Sequence, residues 1–458
     1  MSQCYDGCCK LREILVRDGA HFHFAGILGV SMSSLAELLL MRGCRVSGSD
    51  TGGGEVRARL SKLGVKISEG NKSEYMDGAD ALIYSFAISQ DAEEMCYARE
   101  YSIPAFSRAE LLGALMLSYQ HRIGISGTHG KSTTTAMIHK IFTDCGYAPT
   151  TLSGAAIDGE RAHSIGGREY LIYEACEYRD AFLSFSPECA VITGIELDHT
   201  DYYKSTEMLL SSFEKSVEGA TRVILNCDFP ASASLSSRIR GQVITYGGGD
   251  GVKYKYSVQR KDADGTVFSV ASRAEVFDFY IPIMGEHNVA NATAAIAVSL
   301  EYGLQYSDIC ASLADFCGVS RRLEYLFSVH GRAVIYDYAH HPTEISAAIS
   351  AVKEHYGECT VVFRPHTYTR TRDLWCELVR ALSLADYSVI ADIYAAREEP
   401  IGGVSAQRLA SDIGQNSAYV MMDSIADHVI ANTRGPIILM GAGDLENVKK
   451  SLKSRSDI

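Results

Sequence analysis

Residues 127–132, Gly-Thr-His-Gly-Lys-Ser, lie between the apolar run Ile123-Gly124-Ile125 and a helix-like stretch at 133–138. Glycines let backbone N–H groups approach phosphate oxygens, and the N-terminus of the following helix adds partial positive charge. In such a cradle Lys131 reaches the β- and γ-phosphates and the Ser132 hydroxyl ligates Mg2+. The strict G-x-x-x-x-G-K-[ST] spacing is not met, because Ile125 stands at its first glycine; the shorter G-T-x-G-K-S form remains. The chemistry implied is phosphoryl transfer, which rests on positioning and on neutralising charge over the phosphate oxygens.

Other reactive side chains fall at the ends of apolar runs. Tyr170–Tyr173 leads into Glu174, and Cys189–Thr193 leads into Glu196, Asp198 and His199. Mg2+ prefers oxygen ligands and substrate phosphates, so Glu174 with Ser132 forms a first candidate site. His199 taken alone reads as a hydrogen-bonded cleft residue. Residues 364–372, Arg-Pro-His-Thr-Tyr-Thr-Arg-Thr-Arg, read as a polar loop entering the first turn of a helix through Trp375. Positive charge there opposes the helix dipole, so Arg370 and Arg372 call for an anion, such as a substrate carboxylate gripped in bidentate fashion.

The elements that must position these groups are strands alternating with helices, an α/β pattern in three segments. The first, 1–118, opens with the strand 21–25, a glycine turn from Gly26 to Gly29 and a helix bearing Met32, Leu35, Leu38 and Leu39 on one face, closed by Gly43. The strand at 44–48 then reaches Asp50, 24 positions after Gly26, close to the spacing at which a carboxylate grips a ribose. This is a Rossmann-like βαβ unit. The second segment, 119–319, carries the phosphate loop and an alanine-rich helix opened by Gly285-Glu286-His287-Asn288. The third, 320–458, is again Rossmann-like, with strands expected at 333–336, 360–363, 388–392 and 437–440.

Length and composition agree. At 458 residues the chain exceeds one core. A formal charge of −13 argues against nucleic acid as a bulk partner. No run approaches the ~18 apolar residues of a membrane span, and the first residues lack the apolar core of a signal peptide. Thirteen cysteines without a C-x-x-C pair fit reduced thiols in a cytoplasmic protein. Cys4, Cys8 and Cys9 match no common metal spacing.

Taken in order, GTHGKST, Glu174, IELDH at 195–199, GEHNVANATAA at 285–295, Arg321-Arg322, DYAHHPTE at 337–344 and PHTYTRT at 365–371 resemble the Mur ligase family over residues 21–443. The resemblance implies three domains holding a UDP-sugar, ATP and an amino acid. It implies an ATP-dependent ligase that phosphorylates the lactyl carboxylate of UDP-N-acetylmuramate, after which the L-alanine amine displaces phosphate. By that carry-over, Gly127, Thr128, His129, Gly130, Lys131, Ser132, Thr133, His287, Asn288 and Asp337 bind ATP. Lys131 and His199 act in catalysis, and Ser132, Glu174 and His199 belong to Mg2+ sites. Gly26, Gly29 and Asp50 face the UDP-sugar, and Tyr338, His340, His366 and Arg370 surround the alanine.

Leu28, Ser31 and Ser34 stand where the family's first turn has glycines, and Gly194 where it usually has asparagine. A Cβ at Leu28 and Ser31 is expected to occupy the space of a diphosphate and to burden glycine-only torsions, weakening UDP-sugar binding. Two alternatives stand beside the ligase: a recycling ligase that adds a tripeptide to the same UDP-sugar, and a nucleotide-binding regulatory paralogue.

Overall fold

The computed structural model describes residues 2–157, 161–262, 265–272, 275–396 and 398–456. Strands β1 (His21–Ala25), β2 (Arg45–Asp50), β3 (Lys66–Glu69), β4 (Ala81–Tyr84) and β5 (Ala105–Ser107) form an all-parallel sheet in the order β3-β2-β1-β4-β5. Phe22, Phe24, Leu82 and Ile83 are fully buried, as expected of strands covered on both faces. The order reverses between β1 and β4, which opens a crevice at their carboxyl ends beside the turn at Gly26. A helix at Ser2–Leu15, not anticipated from the sequence, buries Leu11 and Ile14.

The central sheet holds β6 (His121–Ser126), β7 (Thr150–Leu152), β8 (His163–Ser164), β9 (Tyr170–Glu174), β10 (Cys189–Ile192), β11 (Arg222–Asn226), β12 (Gln242–Gly247), β13 (Tyr254–Asp262), β14 (Gly265–Ser272) and β15 (Glu275–Ile281). Its order is β15-β14-β13-β12-β11-β10-β6-β9-β7-β8. The strand that feeds the phosphate loop, β6, pairs in parallel with β10 on one side and β9 on the other. The segments leaving β9 and β10 therefore flank the loop, and this brings acids distant in sequence to Lys131. Helices Lys131–Asp144 and Glu286–Glu301 pack together, and Ala292, Ala294 and Ala295, all fully buried, permit the close approach.

The third sheet comprises β16 (Glu324–Val329), β17 (Arg332–Asp337), β18 (Thr360–Phe363), β19 (Tyr387–Ile390), β20 (Ser417–Tyr419) and β21 (Ile437–Met440), ordered β16-β17-β21-β18-β19-β20. Only β16 runs antiparallel to its neighbour. The turns after β17 and β18 lie at the same carboxyl edge, which collects residues 338–341 and 364–370. One expectation is corrected here. Arg370 and Arg372 sit in the last turn of a short helix, Tyr368–Asp373, that ends before the helix Trp375–Leu382 begins. Cations are favoured at a helix C-terminus, so the dipole does not oblige them to find an anion.

No helix among the described residues is long and apolar enough to cross a membrane. The cysteines described are free, with Cys44, Cys189 and Cys359 buried and Cys9 exposed; the side chains of Cys4 and Cys8 lie outside the described residues.

Candidate active site

Both glycines of the phosphate loop are required by geometry. Gly127 (φ +130°) and Gly130 (φ +80°) occupy the left-handed half of torsion space, and a Cβ would overlap Thr193 Oγ1 at the first and Asn291 Oδ1 at the second. The loop is tied to the segment after β10. Thr128 N–H donates to the Gly194 carbonyl at 2.8 Å, its hydroxyl donates to the Glu196 carbonyl at 2.9 Å, and Glu196 N–H returns a bond to that hydroxyl at 2.9 Å. At Gly194 (φ +156°) a Cβ would stand 2.6 Å from the Phe229 ring; the ring explains why this chain has glycine there.

Lys131 turns back over its own loop, donating to the carbonyls of Gly127 and Thr128 and to the Glu177 carboxylate at 3.1–3.2 Å. Burial works against the ammonium, but Glu177 outweighs it and raises the lysine pKa; Lys131 in turn holds Glu177 below the usual carboxylate range against the pull of burial. Glu177 also faces His199 Nε2 at 3.7 Å. The sequence does not single out Glu177; the only hint is a second acid three residues after Glu174. His199 itself is held at φ +52° by the bond from its N–H to Asp198 Oδ1.

Ser132 and Thr133 are buried in the first helical turn. Glu174 accepts the Ser153 hydroxyl at 2.7 Å and Gly154 N–H at 2.6 Å, both on Oε1, leaving Oε2 outside these bonds. Glu174 Oε2 and the Ser132 hydroxyl are hard oxygen donors of the kind Mg2+ takes, while both Glu177 oxygens accept from Lys131.

The third domain docks on the segment after β10 through alternate residues. Glu196 Oε1 accepts the Thr343 hydroxyl at 3.2 Å, Asp198 receives the Arg370 guanidinium, and Thr200 donates to Asp373 at 2.6 Å. The anion beside Arg370 is thus Asp198, where a substrate carboxylate was expected, and Arg372 pairs with Asp373 at 2.7 Å. Arg370 also donates from Nη1 to His366 Nδ1 at 3.1 Å. Burial and this guanidinium push His366 down to about 4, leaving a neutral ring with its hydrogen on Nε2. His340 is held down to about 4 by burial and lies 3.0 Å from the Tyr338 carbonyl through Nδ1. A carbonyl can only accept, so His340 presents an Nε2 lone pair, stacked edge-on against Tyr338.

Asp337 ends β17 and accepts Leu323 N–H at 2.8 Å and Ala339 N–H at 2.6 Å, one on each oxygen. Burial raises its pKa to about 6 despite Arg322 nearby. It anchors the entry to the third domain. Asn288 is buried, donates to the Met284 carbonyl at 2.7 Å and accepts from Asn291 at 3.1 Å, while His287 is exposed against Gly285. A cavity of about 850 Å3 opens between the central and third domains, with Ala136, Asn288, Ser320, Arg322 and Leu323 in its lining.

In the first domain, Asp50 accepts Leu28 N–H and Gly52 N–H, both at 2.9 Å. Its two oxygens hold the turn itself, so a ribose would share an already bonded carboxylate. The torsional burden expected of the turn is absent: Gly26 (φ +80°) is left-handed, whereas Leu28, Ser31 and Ser34 are not. Ser31 and Ser34 instead lie in the helix Val30–Met41 and bind across the molecule. Arg108, placed at a helix start by the Ser107/Glu110 capping box, donates to Ser31 Oγ at 2.9 Å. Ser34 Oγ lies 3.0 Å from His163 of the central domain, whose other nitrogen meets Glu37 at 3.1 Å.

Comparison with known proteins adds to this geometry. The description "Mur ligase family, catalytic domain" matches residues 21–120, "Mur ligase middle domain" residues 125–299 and "Mur ligase, glutamate ligase domain" residues 321–443. The chain is similar to UDP-N-acetylmuramate–L-alanine ligase of Clostridium acetobutylicum, at 37% identity over 94% of this chain and 97% of that protein. It is 36% identical to the protein of that name from Caldanaerobacter subterraneus subsp. tengcongensis, over 95% of this chain and 98% of the relative. Among solved structures, UDP-N-acetylmuramate-alanine ligase of Thermotoga maritima superimposes with a TM-score of 0.80 at 26% identity, covering 95% and 98% of the two chains. A murein peptide ligase of Psychrobacter arcticus, at 23% identity and a TM-score of 0.73 over 96% and 99%, shares the fold. Three α/β domains, a lysine-bearing phosphate loop flanked by Glu174 at the end of β9 and by the acids that follow β10, and relatives matched along nearly the whole length make this chain a member of the Mur ligase family.

Proposed function

We propose that this protein is an ATP-dependent ligase that joins L-alanine to the lactyl carboxylate of UDP-N-acetylmuramate through an acyl phosphate, for peptidoglycan precursor synthesis in the cytoplasm. The observation that carries the reading is the docking of Arg370, which also holds His366, together with Thr343 and Asp373 onto the segment after β10 that ties down the phosphate loop. Full-length relatives of that name support it. In this reading residues 1–118 hold the UDP-sugar, 119–319 ATP and 320–458 the amino acid.

Lys131 leaves the loop carbonyls and Glu177 to neutralise the transferring phosphoryl group, which the N–H groups of residues 127–133 cradle. Ser132, Glu174 and His199, the last beside Glu177, would hold Mg2+, which when bound supplies further charge neutralisation. In this reading Asn288, which lines the cavity, takes the nucleoside end together with His287 and Asp337. The neutral His366 offers an N–H and His340 a lone pair to the incoming amino acid, and closure excludes water from the acyl phosphate.

The test is incubation of purified protein with ATP, Mg2+, UDP-N-acetylmuramate and single amino acids, weighing the products. ADP release that requires both co-substrates and a UDP-sugar heavier by one alanyl residue is expected. Product formed only with a tripeptide would make it the recycling ligase, and ADP release indifferent to both co-substrates would overturn ligation.

A further inference from the structure

Glu344 lies in the first turn of the helix Pro342–Tyr356 and belongs to no role given above. Its carboxylate is 3.2 Å from His129 Nδ1 of the phosphate loop, 3.5 Å from Arg322 and 3.7 Å from His340 Nδ1, and accepts His340 N–H at 3.3 Å. His129 therefore stands between two carboxylates of different domains, since its Nε2 meets Glu196 at 3.0 Å. From this geometry we infer that Glu344 is a positioning residue, one that couples the conformation of the phosphate loop, through His129, to the seating of the amino-acid residue His340. The inference rests on the ligase reading for what is seated.

The groups facing His129 are Glu196 from its own domain, Glu344 and His341 from the third, His287 from the helix Glu286–Glu301, and Arg322 beyond Glu344. Burial disfavours the imidazolium, but Glu344 and Glu196 together raise it to about 9. A metal ion held by His129, Glu196 and His341, whose ligand atoms lie within 4.8 Å of one another, is the competing occupant. His341 decides between them. Its Nδ1 accepts Thr343 N–H as the helix cap, so in the neutral ring the hydrogen is on Nε2 and no lone pair remains for a metal.

Glu344→Gln keeps the size and removes the charge. We expect kcat/KM for L-alanine to fall at least about tenfold with the KM for ATP within about threefold. The alkaline limb of the pH profile should move down from about 9, because His129 loses one of its carboxylates; a merely structural defect would lower activity at every pH alike. Glu344→Asp should recover part of the loss, and His129→Gln should add little on the Glu344→Gln background. An unmoved limb, or fully additive losses, would overturn the inference. So would stoichiometric Zn2+ binding that disappears in His129→Gln. Solution X-ray scattering of the nucleotide-loaded protein reads the docking without any amide synthesis: compaction in the parent and its loss in Glu344→Gln are expected, and equal compaction in both would overturn the coupling. Because scattering is independent of product, an absent alanyl product in the parent would count against the ligase reading alone. If Glu344→Gln does not fold by circular dichroism, Glu344→Asp and His129→Gln carry the same comparisons.

Discussion

Arg370 and Asp198, 172 residues apart, form a two-point ion pair across the domain boundary, Nε to Oδ1 at 3.1 Å and Nη2 to Oδ2 at 3.3 Å. Both side chains are largely buried, and burial, which would raise the Asp198 pKa, is overcome by the guanidinium, which holds it well below the usual range. Breaking such a pair leaves a desolvated charge and costs about 3–5 kcal/mol, more than a hundredfold. Asp198→Asn should therefore lower kcat/KM for L-alanine by that order and loosen the third domain. Arg370→Lys keeps the charge but loses the planar fork and should fall between. Steady-state kinetics with each substrate varied checks this; an unchanged alanine term in Asp198→Asn would show that the pair does not govern docking.

Lys131→Ala should lower kcat by orders of magnitude, since one donor to a developing charge is worth about 3–4 kcal/mol. It should also destabilise the fold, because Glu177, almost wholly buried, would lose its cation. Adding Glu177→Gln should restore much of the melting temperature without restoring activity. Differential scanning calorimetry of the single and double variants separates the two effects; a Lys131→Ala protein as stable as the parent would mean that water replaces the ammonium at no cost.

What could be read from the sequence divides along physical lines. Strands such as 21–25, 360–363 and 437–440 coincide with β1, β18 and β21, because runs buried on both faces carry their own signal. The strand–turn–helix at 121–144 is likewise a local pattern. Glu177, Glu344 and the Asp198 partner of Arg370 were not legible, because each acquires its meaning from a neighbour supplied by sheet order or by domain docking. The dipole reasoning at Arg370 failed on one break: Leu374 ends a helix that the spacing had joined to the next.

The first-domain turn yields a prediction opposite to the one its glycine replacements suggest. Neither Leu28 nor Ser31 has a left-handed φ, so Leu28→Gly with Ser31→Gly relieves no torsion. It removes the oxygen that receives Arg108, whose guanidinium burial already disfavours. Titration calorimetry with UDP-N-acetylmuramate should show binding unchanged or weaker by roughly the 1.5–3 kcal/mol of a charge-assisted bond. A gain of tenfold or more would restore the idea that these side chains obstruct the diphosphate.

Docking should peak between mildly acidic and mildly alkaline pH. His366 and His340 are held neutral, each pushed down to about 4, the first by burial and Arg370 and the second by burial. A depressed histidine contributes fully above its ordinary pKa, near 6.5, and its contribution is lost as pH falls towards 4. His129 is shifted the other way, up to about 9, so its contribution is complete below about 6.5 and is lost as pH rises through 9. The two signs leave a maximum around neutrality. It should appear in scattering of the nucleotide-loaded protein as a bell-shaped compaction profile, and in kcat/KM for L-alanine as a matching bell. His129→Gln should remove only the alkaline side, and His366→Asn should flatten only the acid side. A profile level from pH 5 to 9.5 would show that these three imidazoles do not gate the contact between the domains.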